Sequence, residues 1–324
     1  MSTDKPRVLL TNPIHPELLP ELARHCDVVV APDASTATIA RLIGDADGLI
    51  VRSQLAPVVF EAAPRLRAVV RHGVGLDMIP VAAATARGIP VANLPGSNTT
   101  AVVEYCIAAL LHLRRGLATI DVRLRRDGWA AARPLADRGS ELARSVCGIV
   151  GVGAVGTQLA AAAAGLGMRV VGLTRRPQAL PAHVDAVSKE TLFACADVVV
   201  LCCPLNVETR GLVDAATLAT MKPDAILINV ARGPVVDTAA VLAALREGRL
   251  GGAAFDVHER QPLGGDEAVF DCPNLLLTPH VAGITATSML GMSRGAVDTM
   301  LALLRGERPA NVVNPEAFDL RAAR

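Results

Sequence analysis

Three polar side chains of a kind used in carbonyl chemistry follow apolar runs in the second half of the chain. Arg232 comes after ILINV, Gln261 lies in DVHERQP after the next run, and His280 follows NLLLT. Ligands of open α/β sheets bind at the carboxyl ends of strands, so the three groups are candidates for one site. An arginine there can clamp a carboxylate and polarise a carbonyl, while a histidine supplies the proton. The alternative for a single histidine after a strand is a structural role.

A glycine-rich stretch has the spacing of a dinucleotide-binding turn. Gly151, Gly153 and Gly156 follow the apolar run 146–150 at G-x-G-x-x-G spacing, and an alanine-rich segment of helical length comes next. In such a unit glycines serve the tight turn, the approach of a pyrophosphate and the packing of helix on strand. The phosphates bind free N–H groups at the helix N-terminus. We therefore expect hydride transfer between a nicotinamide and a carbonyl; the alternative is a βα turn that is merely rich in glycine.

The end of the second apolar run of this unit, 168–173, bears on the choice between NAD and NADP. NAD-binding units usually place an acidic residue about 20 residues past the motif to bind the ribose hydroxyls. Thr174, Arg175 and Arg176 stand there instead, and no acidic residue follows before Asp185. A hydroxyl and two guanidiniums suit a 2′-phosphate, which a carboxylate would repel. We expect NADP in preference to NAD; the alternative is two solvated arginines in a loop.

Short apolar runs alternate with helical patterns along the chain, which indicates an α/β fold with doubly wound parallel sheets. We expect two Rossmann-like or flavodoxin-like lobes. Residues 1–98, completed by 285–324, form the predicted substrate domain, and residues 99–284 the predicted dinucleotide-binding domain. Residues 118–145 are interpreted as a surface loop or a subunit contact, and the tail past Gly306 as a strand or ordered arm.

Composition and charge narrow the class of protein. The chain has 324 residues, enough for about two domains, and a net charge of +1 with both signs interspersed. This balance argues against a nucleic-acid or anionic-membrane surface. No apolar run approaches the ~18 residues of a membrane span, and the N-terminus lacks a signal-peptide core. The seven cysteines form no C-x-x-C pair. We expect a reduced, cytoplasmic protein without a metal and without nucleic-acid or membrane partners.

Seven stretches resemble motifs of the D-isomer-specific 2-hydroxyacid dehydrogenase family. They are GVGLDMI (73–79), GSNTTAVVEY (96–105), GIVGVGAVG (148–156), PLNVETRGLV (204–213), MKPDAILINVARGPVVDTAAVLAAL (221–245), AAFDV (253–257) and NLLLTPHVAG (274–283). The likeness extends over essentially the whole chain. It implies two lobes joined by hinge segments, an active site in the cleft between them, and a homodimer to which part of 118–145 contributes.

The resemblance also implies roles for individual residues. Arg232 is similar to the substrate-orienting arginine, His280 to the proton donor, and Asp256 to the residue that holds the nicotinamide carboxamide. The expected substrate-binding positions are the backbone N–H groups of Val74 and Gly75, together with Arg52, Ser53 and Asn98. The expected cofactor contacts, besides the glycines and 174–176, are Ala154, Val155, Cys203, Pro204, Thr209, Val230 and Gly283.

Gln261 is a departure from the family pattern, which has glutamate before this proline as the partner of the catalytic histidine. A carboxylate raises the pKa of a neighbouring imidazole, whereas an amide only orients the ring. Formate dehydrogenases of the same superfamily resemble this chain in having glutamine there. Glu259 is a possible substitute partner for His280.

The leading hypothesis is an NADP-preferring reductase of a small 2-keto acid such as glyoxylate or hydroxypyruvate. Arg52 and Arg71 are candidates for binding a second anion on the substrate, such as a phosphonooxy or sulfonate group; a solvated pair at Arg71 and His72 is equally open. The alternatives are oxidation of formate, suggested by Gln261, and a non-catalytic protein that senses dinucleotides.

Overall fold

The computed structural model describes residues 5–265 and 267–322 of the chain. It divides into two compact units, which we call unit 1 (Met1–Asn98 and Ile284–Arg324) and unit 2 (Thr99–Gly283). Which unit serves the substrate and which the cofactor stays a prediction.

Unit 1 is built on a parallel sheet of five strands in the order β2-β1-β3-β4-β5. Its strands are β1 (Arg7–Leu10), β2 (Asp27–Val30), β3 (Gly48–Val51), β4 (Ala68–Arg71) and β5 (Val91–Ala92). Its helices are α1 (Leu19–His25), α2 (Thr36–Leu42), α3 (Val58–Glu61), α4 (Val81–Ala86), α12 (Ala286–Leu304) and α13 (Glu316–Ala322). Helices cover both faces of the sheet, so its inner strands are apolar except for Arg7 at the start of β1 and Arg71 at the end of β4.

Unit 2 is built on a parallel sheet of seven strands in the order β12-β11-β10-β9-β6-β7-β8. Its strands are β6 (Val146–Val150), β7 (Arg169–Leu173), β8 (Val184–Ala186), β9 (Val198–Leu201), β10 (Ile226–Asn229), β11 (Gly252–Phe255) and β12 (Leu275–Leu277). Its helices are α5 (Thr99–Arg115), α6 (Leu117–Asp127), α7 (Trp129–Ala132), α8 (Ala154–Gly165), α9 (Lys189–Cys195), α10 (Ala215–Thr220) and α11 (Thr238–Arg246). An apolar cluster lies on each face of the sheet.

These two sheets confirm the predicted α/β class with doubly wound parallel sheets. In unit 2 the chain builds β6, β7 and β8 outward and then crosses back to place β9 on the other side of β6. That reversal is the topological switch point at which dinucleotides bind in sheets of this kind.

Two interpretations of irregular segments need correction. Residues 118–145 are largely helical: α6, α7 and a 3₁₀ turn at Arg133–Arg138 fill most of the stretch. The tail begins as an ordered arm, because Val312 pairs with Ala92, but it ends in α13 rather than in a strand. The helix was missed because only two turns follow Pro315, too few to display a helical period.

Candidate active site

The predicted chemical groups of unit 2 all follow the carboxyl ends of its parallel strands. Along that edge of the sheet, His280 follows β12, Gln261 follows β11, and Arg232 follows β10. Cys203 follows β9, the glycine turn follows β6, and Thr174 to Arg176 follow β7. Neighbouring strands are about 4.8 Å apart, so the edge runs over six strands from the imidazole to the two arginines.

The glycine turn between β6 and α8 fits a bound pyrophosphate. Gly151 has a φ of +91°, and a Cβ there would lie 2.7 Å from the backbone of Cys203, so only glycine is accommodated. Gly156 packs its Cα against the Gly151 carbonyl, while Gly153 is exposed with open space around its Cα. No side chain caps the N-terminus of α8, which leaves the N–H groups of Ala154 and Val155 for an anion.

The half-buried Thr174 and the exposed Arg175 and Arg176 form the bend after β7. The Thr174 hydroxyl accepts a hydrogen bond from the Arg176 backbone N–H at 3.1 Å, which folds the turn back on itself. Both guanidiniums are exposed, and neither bonds or pairs with any residue of 5–265 or 267–322. Asp185 lies on β8 and pairs with Arg169 at 3.3 Å, so this carboxylate does not neutralise the turn.

The loop after β9 contains three further predicted cofactor residues, Cys203, Pro204 and Thr209. The hydrogen bonds of Thr209 fix the conformation of this loop. The Thr209 hydroxyl donates to the Pro204 carbonyl at 2.7 Å and accepts the N–H of Asn206 at 2.9 Å. Cys203 is buried, and its burial raises the pKa of the thiol to about 11. It is therefore a packing residue beside the Gly151 turn and not a reactive thiolate.

Arg232 is held by the strand that precedes it and by a close backbone approach. The buried Asn229 side chain accepts from the Ala231 N–H at 3.0 Å and donates to the Arg232 carbonyl at 3.1 Å. Gly233 packs against the backbone of His258, with no space for a Cβ. The Arg232 loop and the loop that leads to Gln261 are thus pressed together within unit 2.

His280 and Gln261 form a hydrogen-bonded pair. The imidazole Nδ1 lies 2.9 Å from Gln261 Oε1, and Gln261 Nε2 donates to the His258 carbonyl at 3.3 Å. Because that carbonyl only accepts, the amide oxygen faces the ring, and Nδ1 must carry a proton. Of the two ring nitrogens, Nε2 is then the one that Gln261 leaves available for proton exchange.

Glu259, the possible substitute partner, is used elsewhere. Its Oε1 accepts the backbone N–H of Thr238 at 2.9 Å, at the start of α11. The sequence left this open because the alternation of side chains along a strand does not show whether Glu259 faces His280.

Asp256 shapes the turn that carries the histidine. Its carboxylate is buried and accepts from the Thr278 hydroxyl (2.6 Å), the Val281 N–H (2.7 Å) and the Ala282 N–H (2.8 Å). The expected contact with a carboxamide stays a prediction. Two other predicted contacts, Val230 and Gly283, lie half-buried directly after β10 and this turn, respectively.

The predicted substrate residues of unit 1 also lie at the carboxyl ends of strands. Arg52 and Ser53 follow β3; Arg52 Nη1 donates to the Pro13 carbonyl at 2.5 Å, and the Ser53 hydroxyl is buried without a partner among the described residues. Val74 and Gly75 follow β4 in an irregular loop, where no described group accepts their backbone N–H groups. Such N–H groups are suited to a carboxylate.

Arg71 and Asn98, the other two residues of unit 1 considered for substrate binding, are placed differently from each other. Arg71 points into the protein: its guanidinium donates to the carbonyls of Val51, His72 and Gly75 at 2.7–3.1 Å. These bonds favour a scaffold role for Arg71 over the reading of a second anion. Asn98 is half-buried and is the last residue of unit 1 before α5.

Four positioning residues were missed by the sequence reasoning: Tyr105, Asn229, His258 and Thr278. Each acts through hydrogen bonds to a loop that carries a predicted site residue, and His258 donates from Nε2 to the Thr278 carbonyl at 3.0 Å. The only available signal was that polar residues interrupt otherwise apolar runs, as Asn229 does at the end of β10.

Comparisons with known proteins identify the family. The model of the D-isomer specific 2-hydroxyacid dehydrogenase NAD-binding domain matches residues 107–282. A glyoxylate reductase of Korarchaeum cryptofilum is 34% identical over 327 residues, 98% of each chain.

Solved structures are similar over nearly the whole chain. A protein of Thermus thermophilus is 35% identical, with a TM-score of 0.88 over 95% of this chain and 99% of that one. An NADPH-dependent glyoxylate/hydroxypyruvate reductase of Sinorhizobium meliloti, in complex with NADP and malonate, is 30% identical. It has a TM-score of 0.87, over 97% of this chain and 98% of that one.

Two kinds of feature are absent from residues 5–265 and 267–322. None of their helices combines the length and apolar character needed to cross a membrane. These residues also contain no group of three or more His, Cys, Asp or Glu side chains placed to hold a metal.

The family model and the relatives assign the chain to one family. The sheet topology, the glycine turn and the arginine and histidine at the strand ends agree with that assignment. The chain belongs to the D-isomer-specific 2-hydroxyacid dehydrogenase family and is an NAD(P)-dependent enzyme of that family.

Proposed function

We propose that this enzyme reduces a small 2-keto acid, such as glyoxylate or hydroxypyruvate, to the D-2-hydroxy acid, and that it prefers NADP(H) to NAD(H). The observation that carries the proposal is the order of groups along the carboxyl edge of the unit 2 sheet. The proton-donating pair His280–Gln261 and Arg232 lie on one side of the glycine turn, and Arg175 and Arg176 on the other. This order matches a dinucleotide with its nicotinamide over β10–β12 and its adenosine over β7.

The chain's own residues supply charge and a proton. A bound reduced nicotinamide supplies the hydride that the carbonyl carbon accepts. The Arg232 guanidinium binds the substrate carboxylate and draws charge toward the carbonyl oxygen. His280 donates its Nε2 proton to that oxygen, and Gln261 keeps the Nδ1 proton in place throughout. In unit 1, we propose substrate-binding roles for Arg52, Ser53, Asn98 and the N–H groups of Val74 and Gly75.

The preference for NADP is supported by the two unpaired guanidiniums after β7, and the Sinorhizobium relative binds NADP. Replacing Arg175 and Arg176 together by alanine should raise the Kd for NADPH about 10- to 100-fold, because charge-assisted hydrogen bonds are lost. The Kd for NADH should change little. Arg169→Ala is the matched control, since this exposed arginine lies at the other end of β7. Equal loss for both nucleotides would contradict the preference.

We also propose that the enzyme is a homodimer that associates through α6 and α7. Helix α6 buries no residue, and Leu117, Val122 and Trp129 are exposed. A cluster of exposed apolar side chains on one helical segment is typical of an association surface. A cytoplasmic location stays a prediction.

The second candidate reaction is oxidation of formate, which Gln261 motivates. A screen of glyoxylate, hydroxypyruvate, a phosphorylated hydroxy acid and formate, run with both nucleotides, separates the possibilities. We expect turnover of the 2-keto acids with NADPH. Turnover of formate alone would favour the second candidate, and nucleotide binding without any turnover would favour a sensing protein.

A further inference from the structure

A row of two hydroxyl groups connects helix α5 to the turn that carries His280. The Tyr105 hydroxyl lies 2.7 Å from Thr278 Oγ1, and Thr278 Oγ1 lies 2.6 Å from Asp256 Oδ1. All three residues are in unit 2, and Asp256 is 2% exposed. The row has the short distances of good O–H···O hydrogen bonds.

The direction of donation in this row follows from the number of protons available. Three donors converge on the Asp256 side chain, as is typical of a carboxylate that only accepts. The single Thr278 hydroxyl proton therefore goes to Asp256, and Tyr105 must donate to Thr278. Burial raises the pKa of Tyr105 to about 12, so the phenol keeps this proton at neutral pH.

Asp256 in turn receives three successive backbone N–H groups. The His280 N–H donates to its carbonyl at 2.8 Å, the Val281 N–H to Oδ1, and the Ala282 N–H to Oδ2. His280 has a φ of +59°, in the left-handed region that few residues other than glycine adopt. Such a conformation costs on the order of 1–3 kcal/mol and persists only where surrounding bonds fix it. The carboxylate thus fixes the backbone that aims the imidazole.

We infer that Tyr105 and Thr278 are positioning residues for the proton-transfer step, acting through Asp256 on the orientation of the His280 ring. The hydroxyl row locks the carboxylate in the single rotamer that receives both the Val281 and Ala282 N–H groups. Helix α5 packs against β10 and β11, so the Tyr105 phenol ties the His280 turn to a helix that is itself packed on the sheet. The inference rests on the proposed function, in which His280 donates a proton to the substrate.

The test compares Tyr105→Phe, Thr278→Val, their combination, and the conservative control Thr278→Ser. We expect kcat for glyoxylate reduction to fall about 5-fold in Tyr105→Phe and about 10-fold or more in Thr278→Val, given the usual value of a buried hydrogen bond. KM for glyoxylate should stay within about twofold, because neither residue is expected to touch the substrate. Thr278→Ser should retain wild-type kcat. The double variant should be no slower than Thr278→Val, because both changes break one row.

A second readout does not need turnover. The ring nitrogen NMR shifts of His280 in the protein labelled at histidine, assigned by difference from His280→Gln, should change in Tyr105→Phe and not in Thr278→Ser. Unchanged shifts and unchanged kcat in both Tyr105→Phe and Thr278→Val would overturn the inference, as would additive losses in the double variant. If the wild type reduced no 2-keto acid, the proposed function would fail, and the ring shifts alone would still decide the positioning role.

Discussion

The amide of Gln261 gives the imidazole of His280, the proposed proton donor, a neutral partner 2.9 Å away, and the His258 carbonyl sets the orientation of that amide. This pair fixes the tautomer of His280 without adding negative charge. We expect this neutral partner to influence the pH dependence of the reaction, because the imidazole must be charged before it can donate a proton.

The substitution Gln261→Glu should move the pH–rate profile. A carboxylate beside Nδ1 favours the charged ring and raises its pKa. Reduction is lost as pH rises through that pKa, so the fall of kcat/KM should shift upward by about one pH unit or more. Glu259→Gln is the control, because Glu259 binds the Thr238 N–H. Superimposable profiles for wild type and Gln261→Glu would show that this position does not tune the proton donor.

His72 in unit 1 is expected to make the free energy of unfolding depend on pH. Its imidazole is buried, and Nε2 lies 2.8 Å from the Ser293 hydroxyl, which also accepts the His15 N–H. Burial and the nearby Arg52 charge lower the pKa of His72 to about 4. The folded state therefore resists protonation that the unfolded chain accepts below about pH 6.5. Stability contributed by this site is complete above that pH and is lost as pH falls toward 4.

In His72→Gln, the free energy of unfolding should decline less steeply between pH 6.5 and pH 4 than in wild type. The difference in slope is at most about 1.4 kcal/mol per pH unit. Urea unfolding at a series of pH values measures it, and glutamine can still accept the Ser293 hydroxyl. Parallel curves for the two proteins would contradict a buried neutral His72.

At the residue scale, Arg232 and His280 became candidates because each lies two residues past an apolar run, and Gln261 because it lies in the loop after the run that ends at Val257. Tyr105 had no such signal: its partner Thr278 lies 173 residues away, and only the packing of α5 brings them together. Arg71 was equally ambiguous, since a sequence does not reveal whether a guanidinium turns toward solvent or toward three carbonyls.

At the scale of elements, the site depends on how closely two loops of unit 2 approach. Gly233 follows Arg232 and meets the His258 backbone directly, where a Cβ does not fit. In Gly233→Ala the loops must separate, which misplaces Arg232 relative to the His280–Gln261 pair. A shift of about 1 Å at such a group costs roughly 10²-fold in rate.

We therefore expect Gly233→Ala to lower kcat/KM for glyoxylate about 100-fold, with a smaller change in Kd for NADPH. Gly165→Ala is the control: this residue ends α8 with open space around it, and alanine there should leave activity unchanged. Circular dichroism and thermal unfolding show whether the Gly233 variant folds. A folded Gly233→Ala enzyme with wild-type kinetics would contradict the close approach.

Most elements were predictable because parallel strands covered on both faces read as uninterrupted apolar runs. β8 was missed, because its three residues at the edge of the sheet include two exposed positions. α6 and α7 were missed because charged and small residues dominate residues 118–145, although Leu117, Ile120 and Leu124 of α6 do recur at helical spacing.

At the scale of the whole molecule, the same exposed helices bear on assembly. Trp129 is 74% exposed and Val122 is 59% exposed. In Trp129→Glu combined with Val122→Glu, two charges would have to be buried in the proposed interface, so association should be lost. Light scattering after size exclusion should give twice the 33.6 kDa chain mass for wild type and the single mass for the variant. Val207→Glu, on an exposed loop elsewhere, is the control; a monomeric wild type would refute the dimer.

In the proposed reaction, His280 protonates a substrate carbonyl while a nicotinamide cofactor is bound at the same sheet edge. The most direct measurement is the rate of glyoxylate reduction by NADPH in wild type and in His280→Gln, together with Kd for NADPH. We expect turnover by wild type, a loss of about 10²- to 10⁴-fold in the variant, and an unchanged Kd. Equal rates in the two proteins, or tight NADPH binding by a wild type that reduces no 2-keto acid, would contradict it.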